Sequence, residues 1–154
     1  MLQLVAIAAA LTAACASRSE DTSCPAMERA IDEASRNGLL EPLPLSAEGG
    51  GFKIVLEERA IEPNCDTSYR FRISGLDPEI FSSGDAIDRH ICRPSSPVGP
   101  TGGGGGIQMD DSDFIVSSQV SQWQPTAELT LRVGADGCNG LALSFTHVGG
   151  IAQP

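Results

Sequence analysis

The feature that most constrains this chain is an apolar residue at every second position, repeated over several short stretches. Phe52, Ile54 and Leu56 alternate with Lys53, Val55 and Glu57. Tyr69, Phe71 and Ile73 alternate with Arg70 and Arg72. Phe114, Val116 and Val120 share a phase, as do Leu129, Leu131 and Val133, and then Leu141, Leu143 and Phe145. Side chains of a strand point to opposite faces in turn, so this pattern predicts half-buried strands with one wet face. Turn-forming residues separate them. IEPNCDTS (61–68) predicts a hairpin tip holding Cys65, and GADGCNG (134–140) carries two turn signals, Asp136-Gly137 and Asn139-Gly140.

One segment has a different period. In CPAMERAIDEASRNG, residues Met27, Ala30, Ile31 and Ala34 make a single apolar stripe at helical spacing. Ser23 or Cys24 can begin the helix, with Pro25 in the first turn, where a missing N–H costs nothing. Asn37-Gly38 predicts a left-handed stop, with Leu39 folding back as its apolar partner. The stripe is narrow and alanine-rich, so the helix must lean on something larger. The expected fold class is α+β: one N-terminal helix packed on an antiparallel sheet of about five to seven strands. A β-sandwich with the helix at one edge is the alternative. Residues 39–51 read as a connector stiffened by Pro42 and Pro44. Residues 77–93 fit a short helix or a strand equally well. Residues 94–106 (PSSPVGPTGGGGG) read as a flexible loop.

The chain has 154 residues, enough for one domain, and its ends bear on its destination. Nothing before Arg18 is charged. As a helix, Met1–Ala14 would reach about 21 Å at about 1.5 Å per residue, short of a hydrocarbon core of about 30 Å. That suits the apolar part of a secretory signal, although no basic residue precedes it. Thr12-Ala13-Ala14-Cys15 resembles the lipobox of bacterial lipoproteins, with Thr12 where that class usually has Leu. The resemblance covers residues 1–15 alone. It implies a signal peptide at 1–14, a lipid on Cys15, and a short tether over 15–23. Ala16 and Ser17 resemble the outer-membrane group, because the aspartate associated with inner-membrane retention is missing. The alternatives are cleavage after Ala14-Cys15-Ala16, which gives a soluble secreted protein, and an uncleaved apolar helix.

Cysteine arithmetic agrees with export. Of five cysteines, removing Cys15 leaves Cys24, Cys65, Cys92 and Cys138 in a disulfide-stabilised domain over 24–154. An even number in an exported chain predicts two disulfides. If the chain turns after strand 67–75 and returns toward its start, Cys65 meets Cys92, which leaves Cys24 for Cys138. No C-x2-C pair exists for a zinc knuckle. The formal charge of −10 repels phosphates, which argues against nucleic-acid partners. Membrane association is therefore expected through the N-terminal lipid.

Few residues suggest chemistry. Asp110, Asp111 and Asp113 in MDDSDF are weak calcium candidates, since that ion favours clustered carboxylates; an EF-hand would need more ligands and a closing Glu. Asp88, His90 and Cys92 in DRHIC would share one face of a strand, an arrangement open to a thiol nucleophile unless Cys92 is oxidised. His147 follows the phase of Leu143 and Phe145 and is expected to close the inward face. Trp123, the only tryptophan, either covers the core edge or anchors a contact. The five glycines of 102–106 lack the Lys and Ser/Thr of a phosphate loop. No G-x-S-x-G elbow occurs. No cofactor is expected. The sequence thus predicts an exported cell-envelope lipoprotein acting as a non-catalytic interaction or assembly module with an unknown protein partner. A periplasmic small-ligand or calcium-binding module is the alternative, and an exported hydrolase the least favoured reading.

Overall fold

A computed structural model describes residues 24–96, 99–100 and 105–151. The signal 1–14, Cys15 and the rest of the tether lie outside the described residues. Helix α1 spans Pro25–Arg36. Strands β1 (Leu45–Gly49), β2 (Phe52–Ile61) and β3 (Thr67–Ser74) follow. A 3-10 turn (Pro78–Ala86) and a one-turn helix α2 (Ile87–His90) lead into β4 (Ile91–Ser96) and the two-residue β5 (Gly99–Pro100). The chain then forms β6 (Ile107–Asp110), β7 (Asp113–Val120), β8 (Ala127–Val133) and β9 (Leu141–His147).

All strand pairs are antiparallel and make two sheets, ordered β1-β2-β3-β7-β6 and β5-β4-β8-β9. The expected α+β class holds, in its sandwich-like form. Alternation explains why the sheets face each other. Leu56, Phe71 and Val116 sit side by side across β2, β3 and β7, and Leu129 sits opposite Phe145 across β8 and β9. All five are fully buried in one core. Phe145 bridges the layers, its ring 4.8 Å from Tyr69 and 5.4 Å from Phe71. Each such ring, removed from water, contributes on the order of 1.5–3 kcal/mol.

Helix α1 lies at the margin. Its buried residues are Met27 and Ala34. Its C-terminus closes as expected: Gly38 has φ +72°, Leu39 N–H donates to Ala34 O at 2.9 Å, and Gly38 N–H to Ser35 O at 3.1 Å. Leu39 nevertheless remains largely exposed. No helix among the described residues is long and apolar enough to cross a membrane.

Two expectations need correction, and one left open is resolved. The connector 39–51 contains β1, whose Leu45 and Ala47 pack against the core. Gly50 and Gly51, both at positive φ, make the tight hairpin between Gly49 and Phe52 that brings β1 back onto β2. The loop 94–106 is not wholly irregular, because β4 runs through Pro94 to Ser96 and β5 takes 99–100. The β4–β8 register slips between Cys92 and Ser95, so proline, which has no N–H to give, falls where the ladder is already broken. The ambiguous segment 77–93 is both things in turn, helical up to His90 and extended after it.

The disulfide pairing is also corrected. The bonds are Cys24–Cys65 and Cys92–Cys138, with Cα atoms 5.4 and 5.7 Å apart, and not Cys65–Cys92 and Cys24–Cys138. Strand β3 carries the chain away from Cys65. The helical segment 78–90 then stays at the far end, where β4 starts beside the end of β8, with Cys92 opposite Arg132. Cys92 therefore meets the β8–β9 turn, and Cys65 is left for Cys24. Two disulfides are compatible with an oxidising, extracytoplasmic compartment.

Candidate functional site

The two ends of the sandwich differ in chemistry. At one end a cleft of about 660 Å3 is lined by Asp88, Arg89, His90, Cys92, Asp136 and Cys138. Asp88 and His90 come from α2, Cys92 from β4, and Asp136 and Cys138 from the β8–β9 turn. The expected single strand face through Asp88, His90 and Cys92 is thus replaced by a helix-to-strand junction that still brings all three together. His90 is clamped: its Nδ1 lies 2.9 Å from Gly134 O, and Gly134 N–H donates to His90 O at 3.0 Å. A carbonyl can only accept, so Nδ1 is the donor in this contact. Cys92 is oxidised, so the cleft holds an imidazole, two carboxylates and a guanidinium but no thiol nucleophile. It can bind a polar molecule. Among the described residues no group of three or more His, Cys, Asp or Glu is placed to hold a metal ion.

Comparison with family models, curated proteins and solved structures finds no match.

The weak calcium candidates sit elsewhere, on the outer face of the five-stranded sheet. Arg72 donates to Glu57 at 2.7 Å, to Asp110 at 2.9 Å and to Asp113 at 3.3 Å. The guanidinium already takes the place a cation would need between Asp110 and Asp113. Asp111 occupies the turn between β6 and β7 at φ +55°.

At the other end, Trp123 is 62% exposed and does not cover the core. Its loop is tied down. Gln122 N–H donates to Asp66 Oδ1 at 3.0 Å, and Gln122 Nε2 to Asn64 O at 3.1 Å. Gln122 O accepts from Gly150 N–H at 2.7 Å and Ile151 N–H at 3.1 Å. The Asn64–Asp66 turn is itself held by the Cys24–Cys65 bond. Next to it lies an apolar groove of about 340 Å3 between α1 and the chain after β9, where Ala30, Ala34, Leu39, Val148 and Ile151 contribute. The large exposed indole therefore projects from a loop held by several hydrogen bonds.

Below this loop the sandwich interior is polar. His147 is fully buried, as its phase predicts, and its Nδ1 lies 2.7 Å from Tyr69 Oη. Burial lowers the imidazole to about 4, partly opposed by the backbone carbonyls of Ser121 and Gln124. Those carbonyls face the ring without reaching hydrogen-bond geometry at Nε2. Burial raises the Tyr69 phenol well above its ordinary value, against the opposing charge of Arg59. Tyr69 thus keeps its proton, and its hydroxyl donates a hydrogen bond to Nδ1 of a neutral His147. Burial also pushes the Glu41 carboxyl up, but hydrogen bonds from its own backbone and from Thr146, with the Arg59 charge, outweigh it and leave it lowered. Thr146 N–H and Oγ1 donate to Glu41 at 3.1 and 2.9 Å. Sequence reasoning missed Glu41 and Arg59. The signal for Arg59 was the pair Glu57-Glu58: the register slips between Leu56 and Glu58, and this bulge turns Arg59 to the inward face opposite Tyr69.

Proposed function

We propose that this chain is an exported cell-envelope lipoprotein, anchored through Cys15, a non-catalytic module that meets a protein partner through Trp123. The observation that carries this reading is Trp123 itself, exposed on a loop fixed by Asp66, Asn64 and the segment after β9. A rigid, solvent-facing indole loses little freedom on binding and buries a large apolar area, the profile of an interface anchor. The two disulfides support passage into an oxidising compartment. Ala16 and Ser17 support the outer membrane as the destination.

The test is crosslinking in the native host, with a photoreactive phenylalanine put in place of Trp123. A discrete protein adduct is expected, absent when the same group replaces exposed Lys53 on β2. Equal yields from both positions, or none from position 123, refute the partner reading. Mass measurement of the N-terminal peptide checks the anchor separately: acyl chains on Cys15 are expected, and an unmodified N-terminus beginning after Ala16 would mark a secreted protein. The cleft at His90 favours a second reading, a module for a small polar ligand. A thermal-shift screen of polar metabolites tests it.

A further inference from the structure

The two disulfides occupy different surroundings. Cys24 is 1% exposed, so the Cys24–Cys65 bond is closed to solvent from one side. The residues of the Cys92–Cys138 bond both line the open cleft beside His90. Cys92 Sγ lies 4.0 Å from the Asp88 carbonyl oxygen and Cys138 Sγ 3.8 Å from that of Arg89. A disulfide sulfur has no proton, so these are contacts today. They become hydrogen bonds once the bond opens, because each thiol finds an acceptor already in place. Cys24 Sγ has a similar neighbour, the Glu62 carbonyl oxygen at 3.7 Å, so what separates the two bonds is access: Cys92 and Cys138 both line the open cleft, whereas Cys24 is buried.

We propose that Cys92–Cys138 is a thiol–disulfide exchange site for an incoming dithiol, while Cys24–Cys65 is a permanent staple. The thiolate of the dithiol attacks one sulfur of the pair. A mixed disulfide forms, and the other cysteine leaves as a thiolate that takes a proton from solvent. The second thiol of the dithiol, deprotonated, then attacks the mixed disulfide. It departs as the oxidised dithiol, and the remaining cysteine is protonated. Two electrons pass from the dithiol to the pair. Access and the charge around the sulfurs set the rate of such attack. Asp88 and Asp136 outnumber Arg89 in the cleft, and the chain as a whole carries −10. The site therefore favours a neutral or cationic thiol over an anionic one.

The inference needs both disulfides present, as the export reading expects, and the experiment separates the two. Protein purified from its native host is treated with graded dithiothreitol without denaturant, quenched by alkylation and mapped by peptide mass. Cys92 and Cys138 are expected to be alkylated about ten-fold or more faster than Cys24 and Cys65, since access controls exchange. Equal rates, or earlier opening of Cys24–Cys65, overturn the proposal. Four alkylatable thiols before any reductant overturn it together with export. Cysteamine is expected to open the bond faster than 2-mercaptoethanesulfonate at matched thiolate concentration, with the difference reduced in Asp136→Asn and at high salt. No difference between the two thiols overturns the assigned charge preference.

Discussion

Tyr69 and His147 come from facing sheets, and the phenol oxygen lies 2.7 Å from the imidazole Nδ1 in a fully buried setting. This bond joins the layers through polar groups at one end of a largely apolar core. Tyr69→Phe keeps the ring contact with Phe145 and removes the donor to Nδ1. A buried acceptor left unsatisfied costs about 1–3 kcal/mol, which urea unfolding at neutral pH measures. A change below a few tenths of a kcal/mol would show that the bond contributes little.

The same pair makes stability depend on pH. Burial holds the folded imidazole near 4, against 6.5 for an ordinary histidine. Between those values the unfolded chain binds a proton that the folded one refuses, so acid favours unfolding. The contribution is intact above about pH 6.5, declines as pH falls, and is fully lost below about 4. Its ceiling is about 3 kcal/mol. His147→Gln should flatten the part of the stability curve between pH 4.5 and 6.5, as read by denaturant titration at each pH. A slope unchanged by the substitution would contradict the assignment.

Removing the Cys24–Cys65 bond should act locally as well as globally. Replacing both cysteines by Ser is expected to cost about 2–5 kcal/mol. Hydrogen exchange should rise first in α1, which begins at the severed bond and buries only Met27 and Ala34 along its length. Protection in β8 and β9 should persist under the same conditions. Uniform acceleration across both sheets would mean that α1 is integral to the core.

Trp123 should report its own exposure. Its emission is expected near that of free indole, with full quenching by acrylamide. Trp123→Ala should leave stability within about 0.5 kcal/mol, as at other surface positions. A blue-shifted spectrum or a large loss of stability would return Trp123 to the core edge.

Gly75 is a sharper structural test. It has φ +98°, and a Cβ there would come 2.1 Å from Gly51 O. Backbone cannot yield as a side-chain tip does, so Gly75→Ala should destabilise by about 2 kcal/mol or more. Circular-dichroism melts give the measurement.

The strands β2, β3, β7, β8 and β9 were legible because one face of each is dry and the other wet, and that contrast survives in sequence. Strand β1 was not, because Pro42, Pro44 and the glycines around it dominate local composition while only Leu45 and Ala47 face the core. Pro94 masked β4 in the same way, since a proline argues against a strand unless a bulge receives it. The pairing of cysteines depends on which end of the sandwich the segment 78–90 occupies, a property of topology that no local pattern encodes. Asp88, His90 and Cys92 were singled out for a strand geometry that does not form, yet the junction of α2 and β4 keeps them in one cleft. Asp136 and Cys138 join them only through the β8–β9 turn, which is remote in sequence.

The bond between Cys24 and Cys65 also sets how the protein answers a mechanical pull. Any tension on the chain upstream of Cys24 arrives at the tip of the β2–β3 hairpin through sulfur. The intervening segment, a separation of 41 residues that includes α1 and β1, cannot be drawn out while the bond holds. Load is thus delivered to two paired inner strands, and the weakly seated helix is spared it.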